Sequence, residues 1–137
     1  MPSLPSRPRR RSRSVTDISS FRDDLRRGEI YWLDWSPGRG SEQTGLRPAL
    51  VIQSDAGNTN PRYPLTLVTT VSTKGRLASP THVELQPSPA NGLREVSYVK
   101  AEQIMTVAKE RLLRRIGVLT ALEMEHVDAA LKRSQGL

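Results

Sequence analysis

Residues 28–35 read GEIYWLDW, a run of β-formers in which Ile30, Trp32 and Asp34 fall on one side of an extended chain and Tyr31, Leu33 and Trp35 on the other. That period of two predicts a strand. RPALVIQS (47–54) is a continuous apolar run and predicts a core strand. Pro48 lacks an N–H, so it belongs at the start of that strand. LTLVTTVST (65–73) opens with strict alternation and is β-branched, which also predicts a strand. THVELQ (81–86) alternates in the same way, and SYVKAEQIMTV (97–107) reads as a long or bent strand. LLRRIGVL, further on, fits a short turn followed by a final strand. The segments between are rich in Gly, Pro, Asn and Ser, and PSPANGL predicts a turn built around Asn91-Gly92.

The pattern changes only near the end of the chain. TALEMEHVDAALKRS (120–134) predicts a helix: Thr120 and Glu123 have capping-box spacing, and Leu119, Leu122, Val127, Ala130 and Leu131 form an apolar stripe. Lys132 and Arg133 fall in its last turn, where cations suit the helix dipole. About six short strands and one amphipathic helix predict a mainly β fold with a C-terminal helix, in which a small, strongly bent sheet or partial barrel carries the helix on one side. The linkers hold no crossover helices, which argues against parallel βαβ units.

Composition adjusts this picture in two ways. The 137 residues fit one domain, and with no cysteine there is neither a disulfide framework nor a thiolate metal site. No apolar run approaches the ~18 residues of a membrane span, and no apolar segment follows the N-terminal arginines, so the cytoplasm is the expected location. The net charge is +7, but Arg7, Arg9, Arg10, Arg11 and Arg13 supply five of those charges within residues 1–14. Residues 1–25 therefore read as a basic, disordered tail and residues 26–137 as the folded domain. The high pI is mostly a property of the tail and does not by itself make the body a nucleic-acid binder.

The candidate chemistry is sparse. The sequence has two histidines, His82 and His126, and no metal-binding, phosphate-loop or nucleophile-elbow motif. His126 falls mid-helix, and His82 falls on a strand with no evident orienting partner. What remains is arginine with hydroxyls. If strands 47–54 and 65–73 pair antiparallel, Arg47 lies at the same sheet end as Ser72 and Thr73. A guanidinium and a hydroxyl can stabilise the five-coordinate phosphorus formed when an RNA 2′-OH attacks its own phosphate. Such a site needs no metal, and DNA, lacking the 2′-OH, would not be cut. On the residues alone Arg47 reads more readily as a solvated strand-end cation than as a catalytic group.

A longer pattern surrounds Arg47. Arg27-Gly28-Glu29-Ile30, the W-x-D-W-x-P of residues 32–37 and the G-S-E-Q-x-G-x-R-P-A-L-V of residues 40–51 resemble the opening of the MazF/PemK (Kid) toxin family. PTHVEL (80–85) and AEQI (101–104) also resemble family members, and the resemblance covers roughly residues 26–134. It implies a small SH3-like barrel of the MazF/CcdB type with a C-terminal helix. It also implies a homodimeric toxin of a type II toxin–antitoxin pair, blocked by a MazE-like antitoxin. The implied activity is metal-independent cleavage of single-stranded RNA to 2′,3′-cyclic phosphate and 5′-OH ends, with no cofactor and no membrane association.

By position, the resemblance makes Arg47 the catalytic arginine and puts Ser72 where many members carry a threonine, with Thr73 as the alternative if the register shifts. Glu42, Gln43, Ser54, Asn58, Glu102 and Gln103 match segments that cover the site or touch RNA. Two alternatives share the fold: a CcdB-like toxin that binds gyrase without catalysis, and an inactive relative. Apart from the resemblance, the tryptophans of the first strand and the VTTVS run exceed what so small a core needs, which predicts a partner subunit.

Overall fold

The computed structural model describes residues 22–35 and 45–137. The elements are β1 (Glu29–Asp34), β2 (Leu46–Val51), a one-turn α1 (Asp55–Asn58), β3 (Leu65–Ser72), β4 (His82–Leu85), β5 (Ser97–Ala108), β6 (Leu112–Val118) and α2 (Ala121–Gln135). The strands form one six-stranded sheet in the order β4-β5-β3-β2-β1-β6, and every pairing is antiparallel. No ladder joins β4 to β6 among the described residues, so the barrel is open.

Alternation places the core on both faces of the sheet. Ile30, Leu50, Val71, Val83, Leu85 and Val99 pack with Val127, Ala130 and Leu131 of α2. Tyr31, Leu33, Trp35, Ala49, Val51, Val68, Val107 and Leu112 gather on the other face. Each fully buried Leu or Val among them contributes about 1.5–3 kcal/mol relative to exposure. β5 serves two neighbours by bulging: Thr69 pairs with Ile104, but Thr70 already pairs with Lys100. The extra residues bend the strand, and its first half goes on to pair with β4.

Local signals account for the turns. Asn91 is buried, donating from Nδ2 to the Gln86 carbonyl and accepting from the Ser88 and Leu93 amides. Gly92 has φ +70°, and a Cβ there would lie 2.2 Å from the Ile116 carbonyl oxygen. The Asn-Gly turn is thus pressed against β6, where only glycine fits. The Thr120 side chain accepts the Glu123 amide at 3.1 Å, and the Glu123 carboxylate accepts the Thr120 amide at 2.8 Å, completing the predicted capping box.

Several expectations are corrected. Trp32 and Trp35 are buried within the single chain, as are Val68, Thr69, Thr70 and Val71, so they leave no apolar surplus for a partner. Leu122 is 62% exposed; Met124 takes its place against the core because α2 docks through 124, 127, 130 and 131. Leu25, assigned to the tail, is fully buried, and Arg22 stacks on the Tyr31 ring at 5.2 Å, so packing on the domain begins before residue 26. No helix of the described residues is long and apolar enough to cross a membrane.

Candidate functional site: a cationic cleft at one end of β2 and β3

Register decides where Arg47 points. Leu33 of β1 lies opposite Arg47, and Trp32 opposite Pro48. On the other side Ala49 pairs with Thr70, Leu50 with Thr69 and Val51 with Val68. Continued by two residues, this register sets Arg47 across from Ser72. Opposed residues in an antiparallel pair project to the same face. Pro48 follows the inward phase of Leu50 and is buried, whereas Arg47 is exposed at the strand mouth.

Arg47, Thr70, Ser72, Thr73 and Lys74 line a cleft of about 270 Å³, with Glu95 and Ser97 on its other wall. Arg27, Arg22 and Arg115 are each paired with a carboxylate, but the Arg47 guanidinium has no hydrogen-bond or ion-pair partner among the described residues. The Ser72 hydroxyl oxygen accepts the Lys74 amide at 3.1 Å, leaving its own proton free to donate. Thr73 lies one residue past β3 and is exposed. The structure therefore brings Arg47, Ser72 and Thr73 to one cleft, with Ser72 facing Arg47 by register and Thr73 beside it.

A second cleft, of about 420 Å³, shares Thr73 and Lys74 with the first and is also lined by Arg76, His82, Tyr98 and Lys100. His82 has the partner that its sequence neighbourhood does not reveal. Its Nδ1 accepts the Arg76 amide at 3.0 Å, which leaves the proton on Nε2 to donate to Glu102 Oε2 at 3.0 Å. Thr81 donates to Glu102 Oε1 at 3.0 Å. Burial would raise the Glu102 carboxyl, but the hydrogen bonds from His82, its own backbone and Thr81 outweigh it and hold the group below its usual value. Both imidazole nitrogens are occupied, so His82 pins the loop and leaves no nitrogen free to act as a base.

The remaining predicted residues are dispersed. Glu42 and Gln43 lie outside the described residues. Glu102 and Gln103 sit exposed in the β5 bulge. Ser54 is exposed before α1, at the far end of β2 from Arg47. Asn58 is fully buried. Its Nδ2 donates to the Gln53 carbonyl and to Asp55, and its Oδ1 accepts from Gln53 and Thr66. Its side-chain groups are thus spent inside the fold. His126 is exposed on α2.

Three residues that sequence reasoning missed stand out. Glu95 supplies the one carboxylate of the first cleft among the described residues, and Arg76 and Lys100 flank the second. None carries a motif of its own: Arg76 follows β3, Glu95 precedes β5 and Lys100 lies on β5, and the β3–β5 pairing brings these segments together. Among the described residues, no three His, Asp or Glu side chains gather in a way that could hold a metal ion.

The sequence pattern of the PemK-like, MazF-like toxin of type II toxin–antitoxin systems matches residues 26–134. An endoribonuclease MazF of Staphylococcus epidermidis is 40% identical over 115 residues, covering 82% of this chain and 92% of that protein. Among solved structures, an endoribonuclease bound to its cognate antitoxin from a mycobacterial species superposes with a TM-score of 0.69 at 27% identity, covering 82% of this chain and 96% of that one. MazF from Deinococcus radiodurans superposes with a TM-score of 0.66 at 25% identity, covering 82% of this chain and 97% of that one. With a family match that spans the described domain and a fold shared with these toxins, the chain belongs to the PemK/MazF family of type II toxin–antitoxin toxins.

Proposed function

We propose that the protein is an endoribonuclease toxin that cuts single-stranded RNA without a metal, leaving 2′,3′-cyclic phosphate and 5′-OH ends. The observation that carries this reading is the Arg47 guanidinium, unpaired among the described residues, set by register across from Ser72 in one cleft. In the reaction the substrate's 2′-oxygen bonds to the neighbouring phosphorus and the P–O5′ bond breaks. The 2′-OH proton passes to the Glu95 carboxylate, and the departing 5′-oxygen takes a proton from solvent. Arg47 and Ser72 donate to the phosphoryl oxygens as charge builds on them. The nucleophile belongs to the substrate and starts close to the phosphorus, so positioning supplies much of the acceleration.

A gyrase-binding toxin of the same fold would have no use for an unpaired guanidinium opposed by hydroxyls, and this disfavours that alternative. By likeness to the relatives, a MazE-like antitoxin and a second copy of the chain are the expected partners, and the cytoplasm the place of action. A monomer in light scattering at micromolar concentration would count against the homodimer.

The decisive experiment maps RNA 5′-ends after incubation with purified protein in EDTA. New 5′-OH ends at a recurring motif are expected, and Arg47→Ala should lose them while remaining folded. Loss of cutting in EDTA, or equal cutting of DNA, would sink the mechanism. Glu95→Gln should lower kcat and leave KM little changed. An unchanged kcat would remove Glu95 from the reaction.

A further inference from the structure

The second cleft is built for an anion that the cutting step leaves unassigned. Lys74, Arg76 and Lys100 all line it, and among the described residues no carboxylate does. None of the three cations has a hydrogen-bond or ion-pair partner among the described residues. Arg62, Arg94, Arg114 and Lys132 are also unpaired, but they lie outside both clefts. Three like charges gathered around one concavity repel one another and raise the local potential for a negative ligand.

The walls of the cleft are also fixed before any ligand arrives. The Arg76 amide is held by His82 Nδ1, and His82 is held in turn by Glu102. Gly75 lies so close to Tyr98 that a Cβ there would come within 2.3 Å of the ring, so the loop rests directly on the aromatic wall. A loop anchored in this way holds the backbone that carries Lys74 and Arg76 and loses less backbone entropy on binding.

We propose that this cleft is a second phosphate subsite, in which Lys74, Arg76 and Lys100 hold the RNA phosphate next to the one engaged by Arg47. The inference rests on the RNA-cleaving reading above. Its support is continuity: Thr73 and Lys74 line both clefts, so a strand whose phosphate lies against Arg47 is led into the second concavity. RNA is favoured over an acidic peptide because its charges repeat at every linkage, matching two adjoining cationic clefts. Lys74 borders both phosphates, whereas Arg76 and Lys100 belong to the second alone.

The test uses an RNA oligonucleotide with a mapped cleavage site and a copy bearing a 2′-O-methyl group at the cut nucleotide, which binds without reacting. Arg76→Ala, Lys100→Met and the double variant are compared with wild type, and Arg114→Ala on β6 is the control. The double variant should bind the methylated copy several-fold more weakly, and its slope of log affinity against log salt should shrink by about 0.7 for one lost phosphate contact. A single methylphosphonate is then walked along the linkages flanking the cut. One neutral linkage should weaken wild type and leave the double variant no worse. Arg76→Gln with Lys100→Gln repeats the measurement if the first pair folds poorly.

An unchanged salt slope, an equal loss in Arg114→Ala, or the same methylphosphonate penalty in both proteins overturns the subsite. So does a double variant that loses affinity for an acidic antitoxin segment but not for RNA, which would assign the cleft to a protein partner. Wild type that cuts no RNA at all overturns the parent reading instead. Arg47-dependent cutting with an indifferent double variant removes only the subsite.

Discussion

The two ends of the β2–β3 pair use the same kinds of side chain in opposite ways. At the end bearing Gln53, Asn58, Thr66 and Lys109, every named polar side chain is engaged. The Lys109 ammonium is buried and donates to the carbonyls of Gly57, Asn58 and Asn60 at 2.8, 3.1 and 3.0 Å. Burial pulls its pKa below the usual lysine value, and those three carbonyls fix where it sits. At the other end, among the described residues, the Arg47 and Lys74 side chains have no such partners and the Ser72 proton is unspent. A saturated polar network specifies the fold, whereas an unsaturated one is free to bind. Residue type does not distinguish the two ends, but partner counts do.

Exchanging the roles of the two cations is the harshest way to break this comparison. Arg47→Ala should lower kcat by about 10³-fold and leave stability within about 0.5 kcal/mol. Lys109→Met should do the reverse. It strands three carbonyls and should cost about 3 kcal/mol in urea denaturation, with the cut motif unchanged. If Lys109→Met kept full stability but altered the motif, the closed end would be a recognition surface and the contrast would fail.

Ser72 and Thr73 sharpen the open end. Ser72→Ala should lower kcat by about 10²-fold, the usual loss for one donor to a transition-state oxyanion. Thr73→Ala should change it far less, because register sets Ser72 opposite Arg47. The opposite ranking in single-turnover rates would show that the substrate is read from the strand end rather than from the strand face.

The sequence carries much of this in local form. The helix cap, the Asn91-Gly92 turn and the strand mouth at Arg47 are set by near neighbours, and antiparallel logic alone brings Arg47 to the end of the strand with Ser72. Features that depend on distant pairing are invisible there. The β5 bulge brings Glu102 to His82 from 20 residues away, and Lys109 reaches α1 and the turn after it across 49 to 52 residues. The tryptophans and the VTTVS strand look surplus to one core, but the sheet is packed on both faces and absorbs them. Asn58 resembles an RNA contact by position, and only its four side-chain hydrogen bonds reveal a role inside the fold.

Asn58 gives a milder test of the closed end. Asn58→Ala leaves the Thr66 hydroxyl, the Gln53 side chain and the part-buried Gln53 carbonyl short of partners and should cost about 2 kcal/mol. Urea midpoints measure the cost, and 5′-end mapping should return the wild-type motif. A motif that shifted while stability held would move Asn58 to the RNA-reading group.

The smallest expected effect lies at the boundary between the two regimes, where Glu102 is partnered but 40% exposed. Its hydrogen bonds hold the folded carboxyl below the ordinary value of 4.5. A depressed carboxyl contributes its stability in full above the unfolded value and loses it as pH falls through the folded one. Solvent screening keeps that contribution under about 1 kcal/mol. Between pH 6 and pH 3, Glu102→Gln should therefore show a shallower decline in urea midpoint than wild type, with the two curves converging at the acid end. Parallel curves would mean that the carboxylate does not hold His82. The loop bearing Arg76 would then be free, and the second cleft would have to form on ligand binding instead of being fixed beforehand.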